Sequence, residues 1–172
     1  MHPRLTAGFA LMLMLSGCQP ALNWREARPP GAGAAALFPC KPDVDQRAAR
    51  AGEGAMGLAQ CEAGALRFAL SWADVPDAPQ AGAALKAMPQ ALAAKVGQPL
   101  PAAAVVRVPG MTPMAEALQY RLAGAGGVTR VAVFAYGGRV YQAVMTADPD
   151  NAAAWESFLG GLRVGAAAEA AR

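Results

Sequence analysis

The stretch VAVFAYGGRVYQAVM, residues 131–145, places the tightest limit on what this chain can fold into. Two runs rich in valine and aromatic residues, Val128 to Tyr136 and Arg139 to Thr146, flank Gly137-Gly138. Two glycines between such runs predict a two-residue β-hairpin of the type in which both turn residues take positive φ. The fold must therefore contain an antiparallel sheet.

Other segments extend that sheet. In GALRFALSWADV, Leu66, Phe68, Leu70 and Trp72 alternate with Arg67, Ala69, Ser71 and Ala73, the pattern of a half-buried strand. GAMGLAQC reads as its partner across the turn Glu62-Ala63-Gly64, and LFPCKPD as a short strand whose prolines favour an edge or a strand end. Further strands are predicted near Ala103 to Val108 and Ala115 to Leu122, the second joined to the hairpin by GAGG at 124–127. Between these groups the period changes. Leu85, Met88, Leu92 and Val96 recur at helical spacing, with Asp77 and Pro79 suited to the start and Gly97 to the end. Pro89 inside this segment predicts a kink or a split into two helices. Asp150 or Asn151 caps a closing helix that carries Trp155, Phe158, Leu159 and Leu162 on one face. Runs of strands separated by a helix, without βαβ alternation, indicate an α+β domain with helices packed on an antiparallel sheet.

The chain's 172 residues suffice for one domain. Hydrophobic residues reach 55%, but much of this is alanine, which buries little area. Net charge is +3 and the basic residues stand singly without aromatic interleaving, which argues against a nucleic-acid surface.

The N-terminus carries an address. Residues 1–17 read as a signal peptide: His2 and Arg4, then an apolar segment from Leu5 to Leu15. As a helix it would span about 16 Å, against roughly 30 Å of bilayer hydrocarbon. Leu15-Ser16-Gly17-Cys18 follows and resembles the lipobox of bacterial lipoproteins. That resemblance implies that Cys18 takes a diacylglyceryl group and becomes the N-terminus after cleavage. Several acyl chains together hold a protein to membrane durably, whereas one holds it only marginally. Gln19, where aspartate would signal inner-membrane retention, implies an outer-membrane lipoprotein facing the periplasm. From Cys18 to Ala36 the proline-, glycine- and alanine-rich chain reads as a tether, residues 37–164 as the single domain, and residues 165–172 as a disordered tail.

Cys40 and Cys61 remain as an even pair in an exported chain, which predicts a disulfide. Its loop of about twenty residues is worth roughly 3 kcal/mol. The spacing suits neither a CxxC redox motif nor a zinc site.

Catalytic chemistry is sparse. The sole histidine is His2, inside the signal segment, so a processed chain lacks the residue that triads and zinc sites most often use. P-loop, dinucleotide-fingerprint and HExxH patterns are missing. No catalytic residue, metal ligand or cofactor is therefore assigned. Asp43 with Asp45, and Asp148 with Asp150, could bind calcium or share a proton, but read more economically as a strand exit and a turn with a helix cap. Arg107, Arg121, Arg130 and Arg139 could form a cationic strip or pair with nearby acids, and Tyr120, Tyr136 and Tyr141 could line a groove or pack under helices. Trp24 could meet either the membrane interface or the domain.

ALFPCKPD, the mid-chain helix, the VAVFAYGGRVYQAVM hairpin and the closing AAAWESFLGGLRV resemble the PsbP/DcrB-type α/β/α sandwich over about residues 36–164. That group includes photosystem accessory subunits and bacterial envelope lipoproteins, and shares no catalytic residues. The expectation is a non-catalytic, lipid-anchored envelope lipoprotein that binds or helps assemble an envelope protein. The alternative is a periplasmic module that binds a small ligand in a groove between sheet and helices.

Overall fold

A computed structural model describes residues 22–169, so the signal segment and Cys18 lie outside the described residues. Ten strands and three helices follow in the order β1 (Arg25–Ala27), β2 (Ala34–Phe38), β3 (Asp43–Arg47), β4 (Met56–Ala63), β5 (Leu66–Asp74), α1 (Ala78–Lys95), β6 (Ala104–Val105), β7 (Leu118–Gly124), β8 (Gly127–Tyr136), β9 (Arg139–Ala147), α2 (Ala152–Gly160), β10 (Arg163–Val164) and α3 (Ala166–Glu169). The architecture is α+β, as the strand and helix periodicities require. A seven-stranded antiparallel sheet runs β3-β4-β5-β9-β8-β7-β6, two meanders joined where β5 pairs with β9.

The sheet is covered on both faces, unequally. On one side lies a small sheet, β1-β2-β10, together with α2. Here Phe38, Phe68 and Phe158 meet edge-to-face with centroids 5.2–5.3 Å apart. Each such buried ring contributes on the order of 2–3 kcal/mol. Trp155 is buried beside them, and its indole N–H is satisfied by Gln119 Oε1 at 3.1 Å. On the other side α1 sets Ala81, Leu85 and Ala93 against Val131, Val133, Ala135 and Val140. Alternation along β8 feeds both compartments: Ala132 and Phe134 face α2, while Val131 and Val133 face α1.

Local chemistry sets the element ends. Asp77 caps α1 by accepting from the Gln80 N–H at 2.8 Å, and Asn151 caps α2 by accepting from the Ala154 N–H at 2.9 Å. Helix α1 runs unbroken through Pro89, which is buried. The expected split does not occur, and α1 is one continuous helix from Ala78 to Lys95. In the Gly137-Gly138 turn only Gly137 has positive φ, at 56°. The turn is thus of the II′ kind rather than the kind needing positive φ twice.

Two boundary expectations change. The segment expected as a tether up to Ala36 is part of the fold from Leu22 onward. Trp24 packs edge-on against Phe68 at 5.6 Å, β1 pairs with β2, and Ala32, Ala34, Ala35 and Ala36 are buried. Alanine looked like little to bury, yet small side chains let β2 lie close beside α2 between β1 and β10. At the other end, residues 166–169 form a helical turn rather than a disordered tail: Ala168 is buried and its carbonyl accepts from Arg28. The LFPCKPD strand is divided, β2 stopping at Phe38 before Pro39 and β3 starting at Asp43 after Pro42. Cys40 and Cys61 form the expected disulfide, Cα atoms 6.0 Å apart.

Candidate functional site

Helix α1 lies over β8 and β9, which leaves the same face of β3, β4 and β5 open beside it. Strand alternation and register put Met56, Leu58 and Gln60 of β4 next to Ala73, Ser71 and Ala69 of β5 on that open face. Two hollows follow it end to end. The first, about 480 Å³, is lined by Met56, Leu58, Ser71, Ala73 and Met88, and also touches Trp72. The second, about 770 Å³, continues past Gln60 and Ala69 under Leu92 and Val96 to Arg67, Lys95 and Thr146. The first hollow is mostly apolar but is flanked by Asp45 and Arg47 of β3, which pair with Leu58 and Met56, and the second is polar. Small residues on the β5 side give the groove depth: Ala69, Ser71 and Ala73 cannot fill the space between sheet and helix. Met56, 41% exposed, stands at its apolar mouth.

The groove's polar end carries charges of both signs, Lys41, Arg67 and Lys95 with Asp43 and Glu62. Arg67 pairs with Glu62 at 3.0 Å, but both are largely exposed, so the pair adds little. Lys95 extends from the last turn of α1. The arrangement can hold an elongated molecule with an apolar portion by packing and hydrogen bonding.

The four arginines singled out from sequence are elsewhere. Arg121 and Arg130 lie directly opposite each other on β7 and β8, an unfavourable placement of like charges. Asp150 resolves it. Its Oδ1 and Oδ2 each accept from Arg130 at 2.9 Å, and Oδ2 also accepts from Arg121 at 2.9 Å. The hydrogen bonds from Arg130, aided by Arg121, hold the Asp150 carboxyl down at about 2, and the same bond raises the Arg130 guanidinium. Asp150 is thus a clasp between β7, β8 and the start of α2. Arg139 hydrogen-bonds Asp74 Oδ1 at 2.6 Å, which raises its pKa, and also donates to the Gly31 carbonyl. Arg107 is exposed and stands apart from the other three. The four make no common strip.

Arg139 belongs to a second depression, about 620 Å³, at the Gly137-Gly138 end of the sheet, with Arg28, Tyr136, Tyr141 and Gly165. Its charges are internally matched. Arg28 pairs with Glu26 at 2.7 Å, and the buried Tyr141 hydroxyl donates to the Ala32 carbonyl at 2.8 Å. Burial pushes Tyr141 up to about 12. These groups lock the residue 28–34 segment onto β9 rather than present free donors. Tyr120 is half-buried toward α1, and Tyr136 is 42% exposed.

Asp43 and Asp45 are exposed on β3, and among the described residues no three potential ligands cluster as a metal site would require. The hydroxyls of Ser71 and Ser157 both reach backbone carbonyls, of Gln142 and Ala153. Sequence reasoning missed Met56, Arg67, Met88 and Lys95 as groove residues. A signal was present, since Ala69, Ser71 and Ala73 follow Arg67 on one face of GALRFALSWADV, too little to seal a sheet by themselves. Comparison with protein-family models, curated proteins and solved structures finds no match.

Proposed function

We propose that this chain is a lipid-anchored, non-catalytic lipoprotein of the bacterial envelope, held at the outer membrane with its PsbP/DcrB-like domain in the periplasm. Its role is accessory, in binding or assembly with another envelope protein. The observation that carries the reading is Leu15-Ser16-Gly17-Cys18, which meets the lipobox pattern at each position directly after a short apolar segment. The Cys40–Cys61 disulfide supports it, because such bonds persist in oxidising compartments. So does the engagement of Asp150 with Arg130 and of Asp74 with Arg139 in ion pairs that join elements of the fold. Expression of Cys18→Ser in a bacterium tests the anchor. Loss of incorporated fatty-acid label and release from membranes is expected. Unchanged label and membrane fractionation refute it.

The groove beside α1 favours a second reading, in which the domain takes up a small elongated ligand with an apolar portion. Titration with 1-anilinonaphthalene-8-sulfonate tests it. Saturable fluorescence enhancement that Leu58→Glu abolishes supports a binding groove, and a signal indifferent to Leu58→Glu removes it.

A further inference from the structure

The fold begins so soon after Cys18 that it fixes which end of the domain meets lipid. Four residue steps separate Cys18 from Leu22. Whatever path they take, a chain extends at most about 3.6 Å per residue, so they span no more than about 14 Å. Leu22 is half-buried against the α2-side core, and Trp24 is seated on Phe68. A domain of this size is nearly 40 Å across by the usual scaling of radius with length. The leash is under half that width.

Leu22 lies at one end of the seven-stranded sheet, beside Cys40, the Ala63-Gly64-Ala65 turn, Leu66 and Asp148-Pro149. Register brings the Gly124–Gly127 turn to the same end, since Val128 pairs with Ala147. The last turn of α1 arrives there too: Gly124 lies against Val96. The two hairpin tips themselves are alanine and glycine only, small enough to sit close to headgroups, while the carboxylates beside them are Glu62, paired with Arg67, and the exposed Asp148. Around the tips stand the exposed Lys41, Arg67 and Lys95, which suit anionic phosphates and outnumber Asp43 and Glu62 in the same hollow. The opposite end, with Gly137-Gly138, Ala48 and the start of α1, lies a full strand length away, about 30 Å for nine residues.

We propose that this end, the Ala63–Ala65 and Gly124–Gly127 turns with Lys41 and Lys95, is the lipid-facing surface and rests on the headgroup layer. The proposal depends on the lipoprotein reading of Cys18. It sets the polar end of the α1 groove beside the membrane and turns the Arg139–Tyr136 depression toward the periplasm, where a protein partner can reach it.

The full chain, expressed and processed in a bacterium, purified and reconstituted in phosphatidylethanolamine–phosphatidylglycerol vesicles carrying a headgroup spin label, provides the test. A fluorescent amino acid replaces Ala65 or Ala125 at the proposed lipid end, or Ala48 or Gln80 at the far end, one per sample. Several-fold stronger quenching at 65 and 125 than at 48 and 80 is expected. Equal quenching at all four, as for a domain lying on its side, or stronger quenching at the far end, overturns the orientation. Intact mass of the same samples reads the anchor separately. An unmodified Cys18 defeats the lipoprotein reading and the orientation with it, whereas a modified Cys18 with the wrong quenching pattern defeats the orientation alone.

Discussion

Changing Asp150 to asparagine removes the one carboxylate that lies between two directly opposed arginines. The side chains of Asp150 and Arg130 are 22% and 16% exposed, while that of Arg121 is half exposed. Lowering a carboxyl from 3.8 to about 2 corresponds to roughly 2.5 kcal/mol at about 1.4 kcal/mol per pH unit. Screening at the exposed Arg121 trims this to about 1.5–2 kcal/mol. The variant leaves Arg130 facing Arg121 without a counter-charge, so the full amount is expected to be lost at neutral pH. For a domain of this size that lowers Tm by about 4–6 °C. Urea unfolding of wild type and Asp150→Asn, followed by tryptophan fluorescence, measures it. The pH dependence supplies the sharper check. Because the folded-state pKa is depressed, this stabilisation is fully present above about pH 4 and disappears as pH falls toward 2. The gap between the two proteins should close over that window. A gap under about 0.5 kcal/mol at pH 7, or one that persists unchanged at pH 2, refutes the clasp.

The disulfide joins residues 21 positions apart, so Cys40→Ala/Cys61→Ala is expected to lower unfolding free energy by about 3 kcal/mol in the same urea assay, and a loss below about 1 kcal/mol contradicts the chain-entropy account. Tyr141→Phe leaves the Ala32 carbonyl without its buried donor and should cost about 1–2 kcal/mol. In a spectrophotometric titration of wild type, one of the three tyrosines should ionise near 12 rather than 10, and Tyr141→Phe should remove that late step. A Cβ on Gly57 would overlap the Trp72 ring on the neighbouring strand, so Gly57→Ala should destabilise by about 1–3 kcal/mol and alter the near-UV circular dichroism.

Period and turn chemistry carried most of the fold. The alternation of Leu66, Phe68, Leu70 and Trp72 identified β5, and Leu85, Met88, Leu92 and Val96 identified α1, because a half-buried element must repeat at its own period. What escaped was contact between segments distant in sequence. Nothing local to Gly31–Ala36 shows that Tyr141 and Arg139 wait for its carbonyls across more than a hundred residues. A run of alanines reads as flexible unless the close approach it permits is already known. Asp150 is similar: a turn-and-cap residue from its neighbours alone, an ion-pair centre only once β7 and β8 are in register.

The groove and the anchor acquire meaning together. The exposed half-face of β3-β4-β5 exists because α1 crosses from β5 to β6 and can cover only the β8–β9 half on its way. Its polar end opens beside Lys95 and Arg67, near the turns that the anchoring proposed at Cys18 would keep close to lipid. A ligand with one apolar and one polar end could then pass between bilayer and groove over a short distance. At the far end the charges pair within the domain, Arg139 with Asp74 and Arg28 with Glu26. On this geometry, lengthening the segment between Cys18 and Leu22 with a flexible insert should leave both stability and acylation unchanged while equalising the vesicle quenching at residues 65 and 48. If the contrast survives a long insert, the surface chemistry of the turns and lysines, rather than the leash, holds the domain in place.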